Sequence, residues 1–180
     1  MDRRLVLSLA FLLIVSGCLL LDYRAVSGSL TLWYDPVVDR DEVRAAYWIK
    51  DNLPIGRDVV YAADLFASEV IMSITGSPAV IGGDWSSLSA SEMGRFMDSQ
   101  EIFTAQSADV AHGLCERWGV DYVFLSRRME VRSYFGYEWV HIPKASFDKF
   151  FNSQHFGLVY SSTDPVYGVR GVWILRVEEW

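Results

Sequence analysis

Cysteine and histidine are scarce in this chain, which has two cysteines and three histidines among its 180 residues. Cys18 lies in an apolar N-terminal run and Cys115 in a predicted helix, so we do not expect them to pair. This excludes a fold held together by a disulfide framework. Apart from His112 and Cys115, which form an isolated pair, no histidine lies near a cysteine, so we expect no structural zinc site.

Signatures of self-sufficient catalysis are also missing from the sequence. There is no Gly-x-Gly-x-x-Gly fingerprint and no Walker A motif, so nucleotide binding has no support. The chain likewise has no Gly-x-Ser-x-Gly elbow and no readable Ser/His/Asp arrangement. We therefore expect no cofactor, no resident metal and no catalytic residue that the sequence alone identifies.

Basic residues are in the minority, with 16 Lys and Arg against 23 Asp and Glu, and the net charge is −7. Beyond residue 21 the balance is 22 acids to 14 bases, or −8. A surface of this sign repels phosphate backbones, so nucleic acid is excluded as an expected partner.

A single long apolar run, Leu5–Leu21, contains 17 residues without a charge and follows Arg3 and Arg4. As an α-helix it spans about 25 Å, slightly less than a hydrocarbon core of about 30 Å. Modest bilayer thinning, or the inclusion of Tyr23, closes the gap. We predict an uncleaved transmembrane anchor over residues 1–24, with the arginines cytoplasmic and the following domain extracytoplasmic at the cell membrane.

Two alternatives to this anchor stay open. Val15-Ser16-Gly17-Cys18 resembles a lipoprotein processing box, in which Cys18 becomes the lipidated first residue. The apolar Leu19–Leu21 continues where a mature lipoprotein turns polar, so the context fits less well than the box itself. A cleaved secretory signal is the other alternative, and all three interpretations place the domain outside the cytoplasm.

Residues 25–40 read as a connector, and residues 41–180 as one domain in which helices alternate with strands. This order predicts an α/β fold with a Rossmann-like, mainly parallel sheet, helices on both faces and an antiparallel C-terminal hairpin. The predicted helices cover 41–53, 65–74, 89–99, 107–119 and 147–152. The predicted strands cover 58–62, 79–81, 120–126, 157–161 and 169–177.

Two aspartates follow predicted strands, where open α/β sheets bind ligands. Asp84 and Trp85, after Gly82-Gly83, could hold a sugar hydroxyl or a divalent ion, with Trp85 as a stacking platform. Asp64 follows the first strand on the same expected edge. The structural alternatives are a glycine turn stabilised by Asp84 and a helix N-cap at Asp64.

Residues 127–144 interleave arginines with aromatic residues directly after the strongest predicted strand. Arg128, Tyr137 and Trp139 are the candidate contacts for an anionic sugar, a lipid headgroup or a partner protein. The alternative is a structural loop over the core. Cys115, on an apolar helix face, is interpreted as a core residue.

Several stretches resemble the extracytoplasmic C-terminal tail of archaeal and bacterial type C membrane glycosyltransferases, of which the oligosaccharyltransferases are one branch. These are AAYWIKDNLP at 45–54, ITGSPAVIGGDW at 74–85, WGVDYVFL at 118–125 and the closing hairpin at 156–177. In this resemblance the apolar run matches the last transmembrane helix of the family.

Two departures from the family's pattern shape the functional expectation. The family's acceptor-reading Trp-Trp-Asp-Tyr-Gly is replaced at 62–66 by AADLF, which retains only Asp64. The resemblance also implies that catalytic acids and lipid-phosphate sites belong to transmembrane helices other than the one seen here. It therefore implies a non-catalytic domain that either works as a separate subunit of a multi-pass glycosyltransferase or has lost that partnership. The alternatives are a lipoprotein that binds a carbohydrate or envelope component, and a metal-dependent enzyme that uses Asp64 and Asp84.

Overall fold

A computed structural model describes residues 38–82, 89–131, 145–163 and 171–179 of the chain. Its helices are α1 (Arg40–Asn52), α2 (Leu65–Thr75), α3 (Ala90–Thr104), α4 (Ala108–Arg117), α5 (Arg127–Val131) and α6 (Ala145–Phe151). Its strands are β1 (Val60–Ala62), β2 (Val120–Ser126), β3 (Phe156–Thr163) and β4 (Gly171–Val177). The unit that holds all of them spans Val38–Trp180.

The four strands form one sheet in the order β1-β2-β4-β3. β1 runs parallel to β2, whereas β4 is antiparallel to both β2 and β3. Between β1 and β2, the Asp121 carboxylate adds a further link by accepting the backbone N–H of Val60 at 2.8 Å.

The predicted antiparallel hairpin of β3 and β4 is confirmed, but the prediction of a mainly parallel sheet is wrong. Two of the three strand pairings in the described residues are antiparallel, because β4 lies between β2 and β3 and not outside them. The predicted strand at 79–81 is reduced to a single parallel bridge between Ala79 and Tyr61. The hydrophobic pattern locates strands, whereas their order depends on how the chain crosses the sheet.

Helices cover both faces of the sheet, as the sequence predicts. Trp48 of α1 contacts Tyr160 of β3, with ring centroids 4.6 Å apart. On the other face, Phe150 of α6 contacts Phe156 at 4.9 Å. Tyr160 and Phe156 face opposite ways because a register shift between Leu158 and Tyr160 changes the alternation along β3.

β2 lies at the centre of these layers. From Tyr122 to Ser126 every residue of the strand is buried, as expected for a strand with helices on both sides. Tyr122 stacks on Tyr61 of β1 with centroids 5.3 Å apart. Cys115 of α4 is fully buried, and burial raises the pKa of its thiol to about 12, so its predicted place in the core is confirmed.

One lysine is buried in this core. Lys149 of α6 is 8% exposed, and its ammonium donates to the carbonyl oxygens of Phe103 and Ala105 at 2.7 and 2.6 Å. These carbonyls belong to the C-terminal end of α3, where backbone acceptors lack helical partners. Lys149 therefore caps α3 from another helix, and its burial lowers the pKa of the ammonium to about 8.

No helix in the described parts of the chain is long and apolar enough to cross a membrane. The predicted anchor at 1–24 and most of the predicted connector at 25–40 lie outside the described residues.

We expect an added methyl group to change the stability of the domain in opposite directions at two glycines, one within α4 and one just after it. Gly113 is exposed within α4, so Gly113→Ala should raise the free energy of unfolding by about 1 kcal/mol through helix propensity. Gly119 has φ of 60°, so Gly119→Ala should lower it by about 1 kcal/mol or more, since L-residues are strained there. Equilibrium urea denaturation followed by tryptophan fluorescence measures both. Changes of the same sign in the two variants would contradict the backbone assignment.

Lys149 predicts a pH dependence of stability. Its pKa is about 8 in the folded chain and close to 10.5 when unfolded, so between these values the unfolded state binds more protons. The contribution of this group to stability is therefore present above pH 10.5 and lost as pH falls through 8. We expect the stability difference between the wild type and Lys149→Met to shift in favour of the wild type from pH 8 to 10. A difference that stays constant over this range would refute the assignment.

Candidate functional site

Asp64 lies directly after β1, where the sequence places a candidate ligand-binding carboxylate. It is the N-cap of α2, and its Oδ1 accepts the backbone N–H of Ala67 at 2.8 Å. Only 4% of the residue is exposed. The helix-capping alternative is therefore seen directly, and one of the two carboxylate oxygens is used by it.

The other oxygen of Asp64 belongs to a buried ion cluster. Asp64 Oδ2 lies 2.6 Å from Nη2 of Arg128, which comes just after β2. The same guanidinium donates from Nε to both carboxylate oxygens of Glu42, at 2.9 and 3.0 Å, and its Nη2 lies 2.8 Å from Glu42 Oε1. We call Glu42, Asp64 and Arg128 the ion cluster.

The ion cluster is closed to solvent and carries one more negative than positive group. Side-chain exposure is 0% for Glu42 and Arg128 and 5% for Asp64. Burial raises the pKa of Glu42 and is the largest effect; the attraction of Arg128 offsets it only in part, and repulsion from the Asp64 carboxylate adds to the rise. For Arg128, burial acts to lower the pKa, but the two carboxylates outweigh it and the pKa is raised. The guanidinium is therefore held charged between two acids.

Glu42 was not among the residues that the sequence singled out. It stands at the third position of α1, where its carboxylate accepts the backbone N–H of Asp39 at 2.6 Å in a capping box. The Asp-x-x-Glu spacing is a readable signal for that cap. Its ion pair with Arg128, 86 residues away, leaves no local signal.

The candidate residues thus fall into two groups. The structure brings Asp64 and Arg128 into contact with each other at the end of the sheet where β1 and β2 finish, which we call the carboxyl edge. This contact gives both residues a structural role. Asp84, Trp85, Tyr137, Trp139 and Cys18 lie outside the described residues. Within the described residues, no group of three or more His, Cys, Asp or Glu side chains is placed to hold a metal ion.

An open cleft lies at the opposite end of the sheet. It has a volume of about 700 Å³ and is formed where α4 ends, β2 begins and β4 ends. We call it the acidic cleft, because its lining includes four carboxylates, on Glu116, Asp121, Glu178 and Glu179, and one guanidinium, on Arg176. Sequence reasoning missed it, since it looked for ligands only at the carboxyl ends of parallel strands.

Two histidines meet beside the acidic cleft. His112 of α4 stacks on His155 with ring centroids 4.5 Å apart and planes 26° from parallel. The Nε2 of His155 lies 2.6 Å from Asp109 Oδ1, while the Nε2 of His112 lies 2.9 Å from the backbone oxygen of Glu178. These contacts join α4 to the residues that flank the β3–β4 hairpin.

Comparison with protein-family models and with characterised proteins gives no match for this chain. Comparison with solved structures gives a match. The chain is similar to the crystal structure of the C-terminal globular domain of an oligosaccharyltransferase from Archaeoglobus fulgidus. The TM-score is 0.52 at 19% sequence identity, and the match covers 78% of this chain and 99% of that one. The chain therefore has the fold of an oligosaccharyltransferase C-terminal domain, as the sequence resemblance predicts.

The ion cluster predicts a large loss of stability when its cation is removed. Arg128→Met leaves two buried carboxylates without a counter-ion, so the free energy of unfolding should fall by about 3–5 kcal/mol. Adding Glu42→Gln to this variant should recover part of the loss, because only one buried carboxylate then lacks a counter-ion. Urea denaturation measures both effects.

The matched control is Arg44→Met, which removes an arginine that is 76% exposed and 3.4 Å from Asp41. An exposed pair of this kind contributes about 1 kcal/mol or less. Equal losses in Arg128→Met and Arg44→Met would contradict the account of the cluster.

Proposed function

We propose that this chain is a membrane-anchored extracytoplasmic domain that serves as a non-catalytic subunit of a multi-pass glycosyltransferase. The observation that carries the proposal is the likeness of fold to the C-terminal globular domain of an oligosaccharyltransferase, which extends over 99% of that domain. That domain is part of an enzyme that transfers oligosaccharides, so a protein of the same fold is a reasonable companion for a related transferase.

The N-terminal sequence supports the membrane part of this proposal. Leu5–Leu21 is apolar and follows two arginines, which favours a single-pass anchor over residues 1–24 with a cytoplasmic N-terminus. Residues 25–40 then connect this anchor to the domain at 41–180, and α1 begins at Arg40. In this arrangement the domain stands at the outer surface of the cell membrane, next to any transferase in the same bilayer.

The burial and contacts of Asp64 at the carboxyl edge support a non-catalytic role. Asp64 is the one residue that the AADLF segment shares with the acceptor-reading motif of the resembled family. Its two oxygens are bound by Ala67 and Arg128, and 4% of the residue is exposed. A carboxylate held in this way stabilises the fold instead of meeting a substrate. A glycan or acceptor contact of the domain then depends on other residues, among which Asp84, Trp85, Tyr137 and Trp139 are our candidates.

Co-purification tests the partnership. The full chain, tagged at its C-terminus, is expressed in its own host, extracted in a mild detergent and captured, and co-purifying proteins are identified by mass spectrometry. We expect a multi-pass glycosyltransferase to be enriched over a tagged, unrelated single-pass protein. A variant in which Leu5–Leu21 is replaced by an unrelated transmembrane helix should retain the partner if the domain makes the contact. Enrichment no greater than that of the unrelated protein would refute the proposal.

The lipoprotein alternative is favoured by one observation, the Val15-Ser16-Gly17-Cys18 box. Here the chain would be a lipid-anchored domain that binds a carbohydrate or another envelope component. The intact mass of the purified chain decides between the two. An unmodified N-terminal helix supports the transmembrane anchor, whereas a mature chain that begins at a lipidated Cys18 supports the lipoprotein and excludes the anchor.

A further inference from the structure

β3 is one of the two edge strands of the sheet. It pairs with β4 on one side, and among the strands of the described residues none pairs with it on the other. The opposite edge differs, because β1 is three residues long and Tyr61 makes backbone hydrogen bonds with Pro78 and Val80. The eight residues of β3 direct alternate N–H and C=O groups away from β4. These groups can pair with another strand.

The sequence of β3 does little to prevent such pairing. Native edge strands are protected by charged side chains, prolines or bulges. β3 has no charged residue and no proline, and its single irregularity is the register shift between Leu158 and Tyr160. The chain around it is acidic, with 22 acids and 14 bases beyond residue 21, so two copies repel each other over much of their surface. An uncharged strand is a place where two copies can approach each other at low electrostatic cost.

Apolar side chains extend this surface beside β3. Leu158 of β3 is 53% exposed, and Phe151 at the end of α6 is 42% exposed. Phe151 contacts Trp173 of β4 edge-on, with ring centroids 5.6 Å apart. Leu158 lies opposite Leu175, whose side chain is on the same face as that of Trp173 two residues earlier. Leu158, Phe151 and Trp173 therefore lie on one face of the sheet, near its β3 edge.

We propose that β3 pairs antiparallel with β3 of a second copy of this chain and joins the two four-stranded sheets into one. A two-fold axis perpendicular to the sheet relates the copies, and a strand that pairs with itself about such an axis is antiparallel. The same axis keeps corresponding faces on the same side, so the apolar side chains of Phe151, Leu158 and Trp173 lie on the same side as their copies. The open backbone groups of β3 are satisfied without a second kind of chain. The dimer does not depend on partnership with a glycosyltransferase.

The mass of the full chain in a non-ionic detergent tests the dimer. Sedimentation velocity at protein concentrations from low micromolar to millimolar measures the fraction of the chain that is dimeric. We expect this fraction to rise with concentration, with no larger species, because a two-fold contact closes on itself. A chain that stays monomeric up to the millimolar range would overturn the proposal.

Three matched variants assign the contact to β3. Ser161 is exposed on β3, so Ser161→Lys brings two like charges together across the new strand pair and should raise the Kd of the dimer about tenfold or more. Ser161→Thr adds no charge and should leave the Kd unchanged. Ser73→Lys adds the same charge at an exposed serine of α2, the helix that follows β1, and should not weaken the dimer because it lowers the net negative charge. An unchanged Kd in Ser161→Lys, or equal weakening in Ser161→Lys and Ser73→Lys, excludes pairing through β3.

Hydrogen exchange provides a second readout that locates the contact within the chain. Backbone amides of β3 should exchange more slowly as the protein concentration rises, because the outward N–H groups become hydrogen-bonded in the dimer, whereas the amides of β1 should not change. The slowing in β3 should be lost in Ser161→Lys and restored when Ser161→Lys is mixed with Ser161→Glu, since unlike charges then meet. Association through the N-terminal apolar run gives a dimer without this protection. A dimer in which the exchange of β3 does not depend on concentration would show that the copies meet elsewhere, and the proposal would be wrong.

Discussion

A buried guanidinium between two buried carboxylates is the constraint on which the arrangement of this domain depends. Arg128 stands just after β2, Asp64 just after β1 and Glu42 in the first turn of α1. Each carboxylate also accepts a backbone N–H at the start of a helix. Asp64 accepts the N–H of Ala67 in α2, and Glu42 accepts the N–H of Asp39, the N-cap of α1. An ion cluster of this kind need not be more stable than an apolar core, but losing one partner is costly. It therefore dictates that the carboxyl ends of β1 and β2 and the start of α1 meet.

The two ends of the sheet differ in the arrangement of their charged groups. At the carboxyl edge, the three charged groups of the ion cluster contact each other and leave almost no exposed surface. At the other end, acidic groups line an open cleft, and His112 Nδ1 lies 3.8 Å from Glu116 Oε1. The fold is that of an oligosaccharyltransferase C-terminal domain, yet the described residues at its carboxyl edge serve stability.

Local features of the fold were predictable from the sequence, and features that depend on distant contacts were not. The extent of β2, the helix caps at Asp64, Ser89 and Ser107, and the final hairpin all follow from hydrophobic pattern and capping chemistry. The place of β4 between β2 and β3 does not, because strand order carries no local signal. The sequence offers two interpretations of the loop that contains Arg128, a binding surface and a structural loop over the core. Arg128 is buried because Glu42, far away in the sequence, meets it across the sheet edge.

We propose that this domain supports glycosyl transfer by another membrane protein without performing it. The most direct measurement is transfer of a lipid-linked sugar to an acceptor in membranes from cells that lack the chain and in the same membranes after the chain is restored. The account predicts reduced transfer without the chain, recovery with the full chain, and no transfer by the purified chain alone. Transfer at the same rate in membranes with and without the chain would contradict it.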